Sequence, residues 1–240
     1  MEPSAERESR SRQQERAERI LDVAAILLLR WGYKRVTIEE IARQAGVGTG
    51  TMYLHWKTKE AIFECVLLRE AVAVWRELLQ RLSADPQEAL IHRLMRSLFL
   101  IVRSRPLARA LFTRDSELLG KLAQGTWGRP PSQLMSAQEF LEFLRNLGLV
   151  RPDSTLSEQA YAFGATVAGF ALVDPGLLEA DRISLEEQAD AMARTIRLAF
   201  EPELLPAPAI LQEQVVPKWT HLLEQVCESC EQQIQERTTR

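Results

Sequence analysis

Apolar residues recur at intervals of three and four along most of this 240-residue chain, and no stretch alternates strictly like a half-buried strand. The pattern predicts an all-α protein. In ERILDVAAILLLRW, Ile20, Ala24, Leu27 and Leu28 form one stripe, and Gly32 is placed to end that first helix. Thr37 followed by Glu40 has the spacing of a capping box, with Val36 and Ile41 as the hydrophobic staple around it. A second helix is expected from Ile38 to Ala45, closed by Gly46 in the left-handed conformation. A short third helix has to fit between Gly48 and about Leu54, and Thr58 then caps a fourth reaching about Ser83. Farther on, Asp85-Pro86, Arg105-Pro106, GRPPS, RPDS, Asp174-Pro175-Gly176 and EPELLPAP separate at least six further helices. No repeat of fixed period is evident.

These signals divide the chain into a mobile charged arm (1–15), a compact helical head (16–60), a larger helical body (61–204) and a C-terminal helical extension (205–240). The head contains the segment GVGTGTMYLHWKTKE, whose glycines are poor helix material between two helical stretches. Two short helices joined by a Gly-containing turn, after a longer one, make a helix-turn-helix. Val47, Met52 and Trp56 have the spacing to hold the third helix to the first two, leaving Thr49, Gly50, Thr51, Tyr53 and Leu54 on its other face. That face carries no bulky charged chain, so a partner can approach the backbone closely. If the partner is a DNA major groove, the threonines can touch base edges and thymine methyls. Tyr53, His55, Lys57 and Lys59, and the amide and hydroxyl of Thr37, can then meet phosphates. The bland alternative is a small helical subdomain with a loose turn that binds nothing.

Charge alters this picture only locally. The net charge is −3, yet residues 20–60 hold six Lys/Arg against four Asp/Glu, whereas 61–240 hold nineteen against twenty-four. A mild basic excess in the head is compatible with a phosphate-facing patch. The N-terminal MEPSAERESRSRQQER lacks the apolar centre of a signal peptide, and the longest apolar run, AYAFGATVAGFALV, is too short to span a bilayer. Three cysteines do not make a disulfide framework in a chain of this size. A cytoplasmic location without membrane contact is therefore expected. No paired carboxylates, His/Cys clusters, nucleophile turn or phosphate-cradling loop point to an enzyme, a cofactor or a metal site.

The order of residues adds more than composition does. RILDVAAILLLRWGYKRVTIEEIARQAGVGTGTMYLHWKTKEAIF closely resembles the N-terminal DNA-binding region of the TetR family of transcriptional regulators. The resemblance rests on Ile20-Leu21, Gly32-Tyr33, Thr37, Ile41-Ala42, Ala45-Gly46-Val47, Gly50-Thr51, Tyr53, Lys57 and Lys59-Glu60. It implies a dimeric, all-helical regulator, usually a repressor, whose two heads grip a palindromic double-stranded operator and whose body binds a small molecule. Carried onto these positions, it assigns Thr37, Tyr53, His55, Lys57 and Lys59 to phosphate or backbone contacts, and Gly48, Thr49 and Thr51 to base reading, with Gly50 among them. Gly48 and Thr49 stand where many relatives carry a serine and a longer polar or basic residue, and Leu54 is apolar. Specificity is therefore expected to lean on thymine methyls, DNA shape and dimer spacing. Ile26 and Trp31, also apolar where relatives are more often polar, either cover the head–body junction, hold the arm, or are scattered surface residues.

The same resemblance implies a four-helix homodimer interface, for which residues 157–173 and 184–200 are the candidates. Ala160, Gly164 and Ala168 recur every fourth residue as a flat stripe, with Phe163, Val167 and Phe170 as flanking anchors. Packing inside one subunit is the alternative. Met95, Phe99, Phe112, Phe140, Phe143 and Tyr161 are the candidates to line an effector pocket for an apolar small molecule, with Arg96, Arg103 and Asp115 as a polar end. Ordinary core and solvated faces are the alternatives. In the tail, Val216, Trp219, Leu223, Val226 and Cys230 predict an extra amphipathic helix of roughly 20 residues. Its CESC, Cys227 and Cys230, reads as two ordinary thiols or as a redox switch.

Overall fold

The computed structural model describes residues 3–125, 137–173, 176 and 178–238, and among these every regular element is helical. The GRPPS and Asp174-Pro175 punctuation lies outside the described residues. The first helix, α1, spans Pro3–Arg35. Residues 3–15, expected as an arm, are thus helical: Glu, Arg, Gln and Ala are good helix formers, and Pro3 occupies the first position, where it is tolerated. Gly32 adopts φ 72 and ψ 161, breaking the helical path where the sequence placed its end.

The helix α2, Ile38–Ala45, starts at Thr37, whose hydroxyl accepts the Glu40 amide at 3.2 Å. The expected box is only half formed. The Glu40 carboxylate instead accepts from Arg43 Nε at 3.0 Å and Gln44 Nε2 at 2.7 Å, because charge pairing along the helix face outcompetes reaching back to the cap. Val36 and Ile41 are fully buried, as a staple requires. Gly46 has φ 65, and its amide and that of Val47 bond Arg43 O and Ala42 O, closing α2 with a Schellman turn. The short α3, Thr49–His55, follows, then α4, Lys59–Ala84, whose first turn is capped by Thr58 Oγ1 accepting the Ala61 amide at 3.1 Å.

The remaining helices are α5 (Ile91–Ser104), α6 (Pro106–Thr113), α7 (Ser116–Leu119), α8 (Ala137–Asn146), α9 (Leu156–Leu172), α10 (Leu185–Phe200) and α11 (Pro208–Ile210). A π-turn, Leu211–Val215, leads into α12, Val216–Thr238, the extra helix predicted for the tail. Complete capping boxes at Thr155 and Ser184 open α9 and α10. Among the described residues no helix is long and apolar enough to cross a membrane.

By contact the chain forms two compact units rather than consecutive blocks. The first takes Met1–Val72, Pro106–Gly128 and Glu228–Arg240; the second takes Ala73–Arg105 and Arg129–Cys227. The core of the first unit joins Ile20, Leu28, Ile41, Met52, Trp56 and Phe63 to Leu107, Ala110, Leu119 and Leu122. Each fully buried large side chain there contributes roughly 1.5–3 kcal/mol. The head is therefore larger than residues 16–60: α6 and α7 return to α1, and the end of α12 lays Ile234 on the same core. Arg237 Nε also pairs with Glu64 Oε2 at 2.9 Å. In the second unit α5 packs along α10, and Leu82, Phe99, Leu144, Met192, Ile196, Phe200 and Val215 share one core. Glu201, buried at the end of α10, accepts the His92 amide at 2.9 Å and faces His92 Nδ1 at 2.8 Å, so it caps the start of α5.

Candidate nucleic-acid interface

Helix α3 is held by its inner face. Met52 and Trp56 are fully buried and Val47 is half-buried against the same core, as the spacing predicts. The Trp56 indole N–H points at Cys65 Sγ, 3.4 Å away. The outer face presents exposed Gly48, Gly50, Tyr53 and Leu54 with half-buried Thr49 and Thr51. Leu54 is 73% exposed, a large apolar side chain with no intramolecular use. The glycines differ in what fixes them. Gly46 needs its positive φ, whereas Gly48 has φ −70 and Gly50 is inside a helix; a Cβ at Gly50 would meet nothing within 4 Å, and one at Gly48 only the Thr51 hydroxyl, at 3.9 Å. The fold thus does not require glycine at 48 or 50, and their missing side chains leave the backbone of α3 open from outside.

Of the residues expected around this face, Thr37, Tyr53 and Lys57 are exposed. Two others are not available. His55, expected at a phosphate, is only 2% exposed and lies beside Trp56, with ring centroids 5.4 Å apart. Burial holds its pKa below the ordinary 6.5, with the Arg16 guanidinium acting in the same direction. Position 55 shares a helical face with Met52, so its burial follows from the three-residue spacing. Lys59, also expected at a phosphate, turns inward: Nζ donates to Tyr33 O at 2.9 Å and Val36 O at 3.0 Å, and lies 4.2 Å from the Tyr33 ring centroid. Burial lowers its pKa. It satisfies two carbonyls at the turn between α1 and α2, which makes it a structural clip.

A neighbouring cluster has no sequence signal. The Tyr33 hydroxyl donates to Glu60 Oε1 at 2.5 Å, and Lys121 pairs with the same carboxylate. Burial and Glu60 push the Tyr33 pKa up to about 12, while Lys121 and the Tyr33 hydroxyl pull Glu60 down to about 2. A Cβ at Gly120, which has φ +56, would come within 2.9 Å of Tyr33 Cδ1. These contacts span 27 positions and more in sequence, beyond the reach of local patterns.

The other expected sets are only partly assembled. Met95, Phe99, Phe140 and Phe143 meet in the core of the second unit, where Phe140 lies 4.1 Å from the Trp219 ring. Phe112 belongs to the first unit, and Tyr161 is 80% exposed on α9, so neither joins them. The polar end does not form: Arg96 is bonded to Asp190 and Glu186, Arg103 lies over the Phe99 ring, and Asp115 caps α7 in the first unit. On α9, Gly164 and Ala168 are exposed, whereas Ala160, Phe163, Val167 and Phe170 pack on the core, Phe163 edge-on to Phe200 at 5.4 Å. The aromatic anchors are therefore intramolecular.

With only helices among the regular elements of its described residues, and a helix-turn-helix whose third helix is bare on one side, the chain is of the helix-turn-helix class. Residues 20–66 match the family of bacterial regulatory proteins called the tetR family. An uncharacterized HTH-type transcriptional regulator of Mycobacterium bovis is 39% identical over 77 residues, 32% of this chain and 40% of that protein. The chain thus spans less than half the length of that curated relative. Another, from Mycobacterium tuberculosis, is 28% identical over 167 residues, 69% of this chain and 78% of its own length. Among solved structures, SmeT, the repressor of the Stenotrophomonas maltophilia multidrug efflux pump SmeDEF, aligns with a TM-score of 0.55 at 22% identity, covering 81% of this chain and 95% of SmeT. A putative transcriptional regulator from Saccharomonospora viridis in complex with choline aligns with a TM-score of 0.50 at 21% identity, over 79% of this chain and all of that one. At these identities the likeness is one of fold.

Proposed function

We propose that this chain is a transcriptional repressor that grips a palindromic DNA operator as a homodimer and releases it when a small apolar molecule binds the second unit. The observation that carries the reading is the outer face of α3, where Gly48 and Gly50 leave the backbone open without any need of the fold, beside exposed Tyr53, Leu54 and Lys57. Thr49 and Thr51 read base edges, Leu54 meets thymine methyls, and Thr37, Tyr53 and Lys57 hold phosphates. His55 and Lys59 support the face from within.

Pairing of two copies is supported by α9, whose exposed Tyr161, Gly164, Ala165, Ala168 and Leu172 share one helical side. Tyr161 and Leu172 take the flanking place first given to the phenylalanines. The aromatic core around Phe99, Phe140 and Phe143 supports an apolar ligand, and the choline-bound and efflux-repressor neighbours make a small-molecule signal reasonable. Such a ligand shifts operator affinity only as far as it prefers one spacing of the heads over another. Helix α4 contributes residues to both units and is the natural lever. A thiol switch at Cys227 and Cys230 is disfavoured by the burial of both side chains.

The test is fluorescence anisotropy at two salt concentrations, comparing duplexes from the gene's own upstream region with scrambled duplexes. The expected result is preference for the native duplex, lost in Tyr53→Ala/Lys57→Ala. Absence of duplex binding at both salts would overturn the reading.

A further inference from the structure

An open cavity of about 620 Å³ lies in the first unit, walled by residues 29–35 on one side and residues 106–118 on the other. Its shape depends on Gly32. A Cβ there would meet the backbone oxygen of Glu117 at 3.4 Å, and φ is +72, so a side chain would strain the kink that brings the end of α1 against α7. Arg30, Lys34, Arg35 and Arg109 line the cavity, with Asp115 and Glu117 as its carboxylates. The Asp115 carboxylate is engaged, Oδ1 accepting the Glu117 and Leu118 amides at 2.9 and 3.0 Å.

Several other cations of this unit have carboxylate partners: Arg43 with Glu40, Arg69 with Glu18 and Asp22, Lys121 with Glu60, Arg237 with Glu64. None of the four cations in the cavity makes an ion pair among the described residues. Four cations against two carboxylates leave an excess of two positive charges, the complement of a phosphate monoester, which carries about two negative charges at neutral pH. Guanidinium groups match phosphate oxygens with paired N–H donors. Trp31 and Leu118 add an apolar wall, and the volume is in the range of small-molecule sites.

We infer that this cavity binds a phosphate-bearing group, with the planar body of an organic phosphate lying against Trp31. Lys34 and Arg35 immediately precede Val36 and Thr37 of the helix-turn-helix, so the same chemistry can also be supplied by a DNA backbone phosphate. The site stands on its own geometry and does not need the operator reading to be correct.

Calorimetric titration of the full chain with AMP, with adenosine as the uncharged control, tests the free-ligand source. AMP is expected to bind saturably and adenosine not at all. Arg35→Ala/Arg109→Ala should weaken AMP by at least about tenfold while circular dichroism and melting temperature stay unchanged. Arg35→Lys/Arg109→Lys, which retains the charge, should recover part of the loss. Salt-dependent anisotropy with a non-specific duplex tests the other source. A salt slope reduced by about two in the alanine pair, with AMP inert, would assign the phosphate to DNA. AMP affinity and duplex salt slope both indifferent to the alanine pair would overturn the site.

Discussion

Gly46 and Gly50 stand four residues apart and use a missing side chain in two ways. At Gly46 the backbone demands it, since φ is 65 and the turn closing α2 depends on that conformation. At Gly50 nothing in the fold occupies the space of a methyl group. Gly50→Ala should therefore stabilise the head by up to about 0.5–1 kcal/mol while weakening duplex binding. Thermal melting and anisotropy on the same preparation check the opposed signs, and unchanged binding would contradict the groove-facing role of α3. His55 yields a second prediction at this scale. Its folded pKa lies below 6.5, so the unfolded chain takes up a proton first as pH falls. The stability tied to neutral His55 is complete above about pH 6.5 and is lost as pH falls through the folded pKa, with a slope of at most roughly 1.4 kcal/mol per pH unit. Denaturant melts from about pH 7 to about pH 5 should show a smaller decline for His55→Gln than for the native chain.

Lys57 and Lys59 look alike in sequence but serve different elements. Lys57 is exposed after α3, whereas Lys59, the first residue of α4, ties that helix to the carbonyls of Tyr33 and Val36. Lys57→Ala should lower the salt slope of duplex binding by about one and leave stability within about 0.5 kcal/mol. Lys59→Ala should cost about 1–3 kcal/mol of stability by stripping two carbonyls of their donor. Equal effects on both measurements would refute the distinction. Elements built from neighbours in sequence were legible: α2 runs from Ile38 to Ala45 as its cap and Gly46 indicate, and α3 is anchored by Met52 and Trp56. The clip at Lys59 and the Tyr33–Glu60–Lys121 cluster were not, because their partners are 23 or more positions apart and only the folded chain brings them together. Residues 3–15 went the other way, since a charged composition without apolar periodicity reads as an arm although its helix propensity is high.

At the scale of the whole molecule, the first unit is assembled from three separated stretches, and the last of them is the end of α12. Cys230 is buried, Ile234 packs on the core, and Arg237 pairs with Glu64 beside Cys65. Removing residues 228–240 should lower the melting temperature of the head by several degrees. It should also make Cys65, whose pKa is raised by burial, alkylate readily, as peptide mass analysis would record. A Cys65 still protected after truncation would show that the tail is dispensable there. This interleaving could not be read from composition or periodicity, since α6, α7 and α12 carry the same helical pattern whichever core they join.

That assembly bears on how such proteins can be recombined. A chimera that exchanges residues 1–60 as a linear cassette would carry a core lacking the walls supplied by Leu107, Leu119, Leu122 and Ile234. A transferable head has to be cut out as a discontinuous module, with 106–125 and 228–238 travelling alongside the helix-turn-helix. Sequence drift in the tail is then constrained by the head, however distant the two are along the gene.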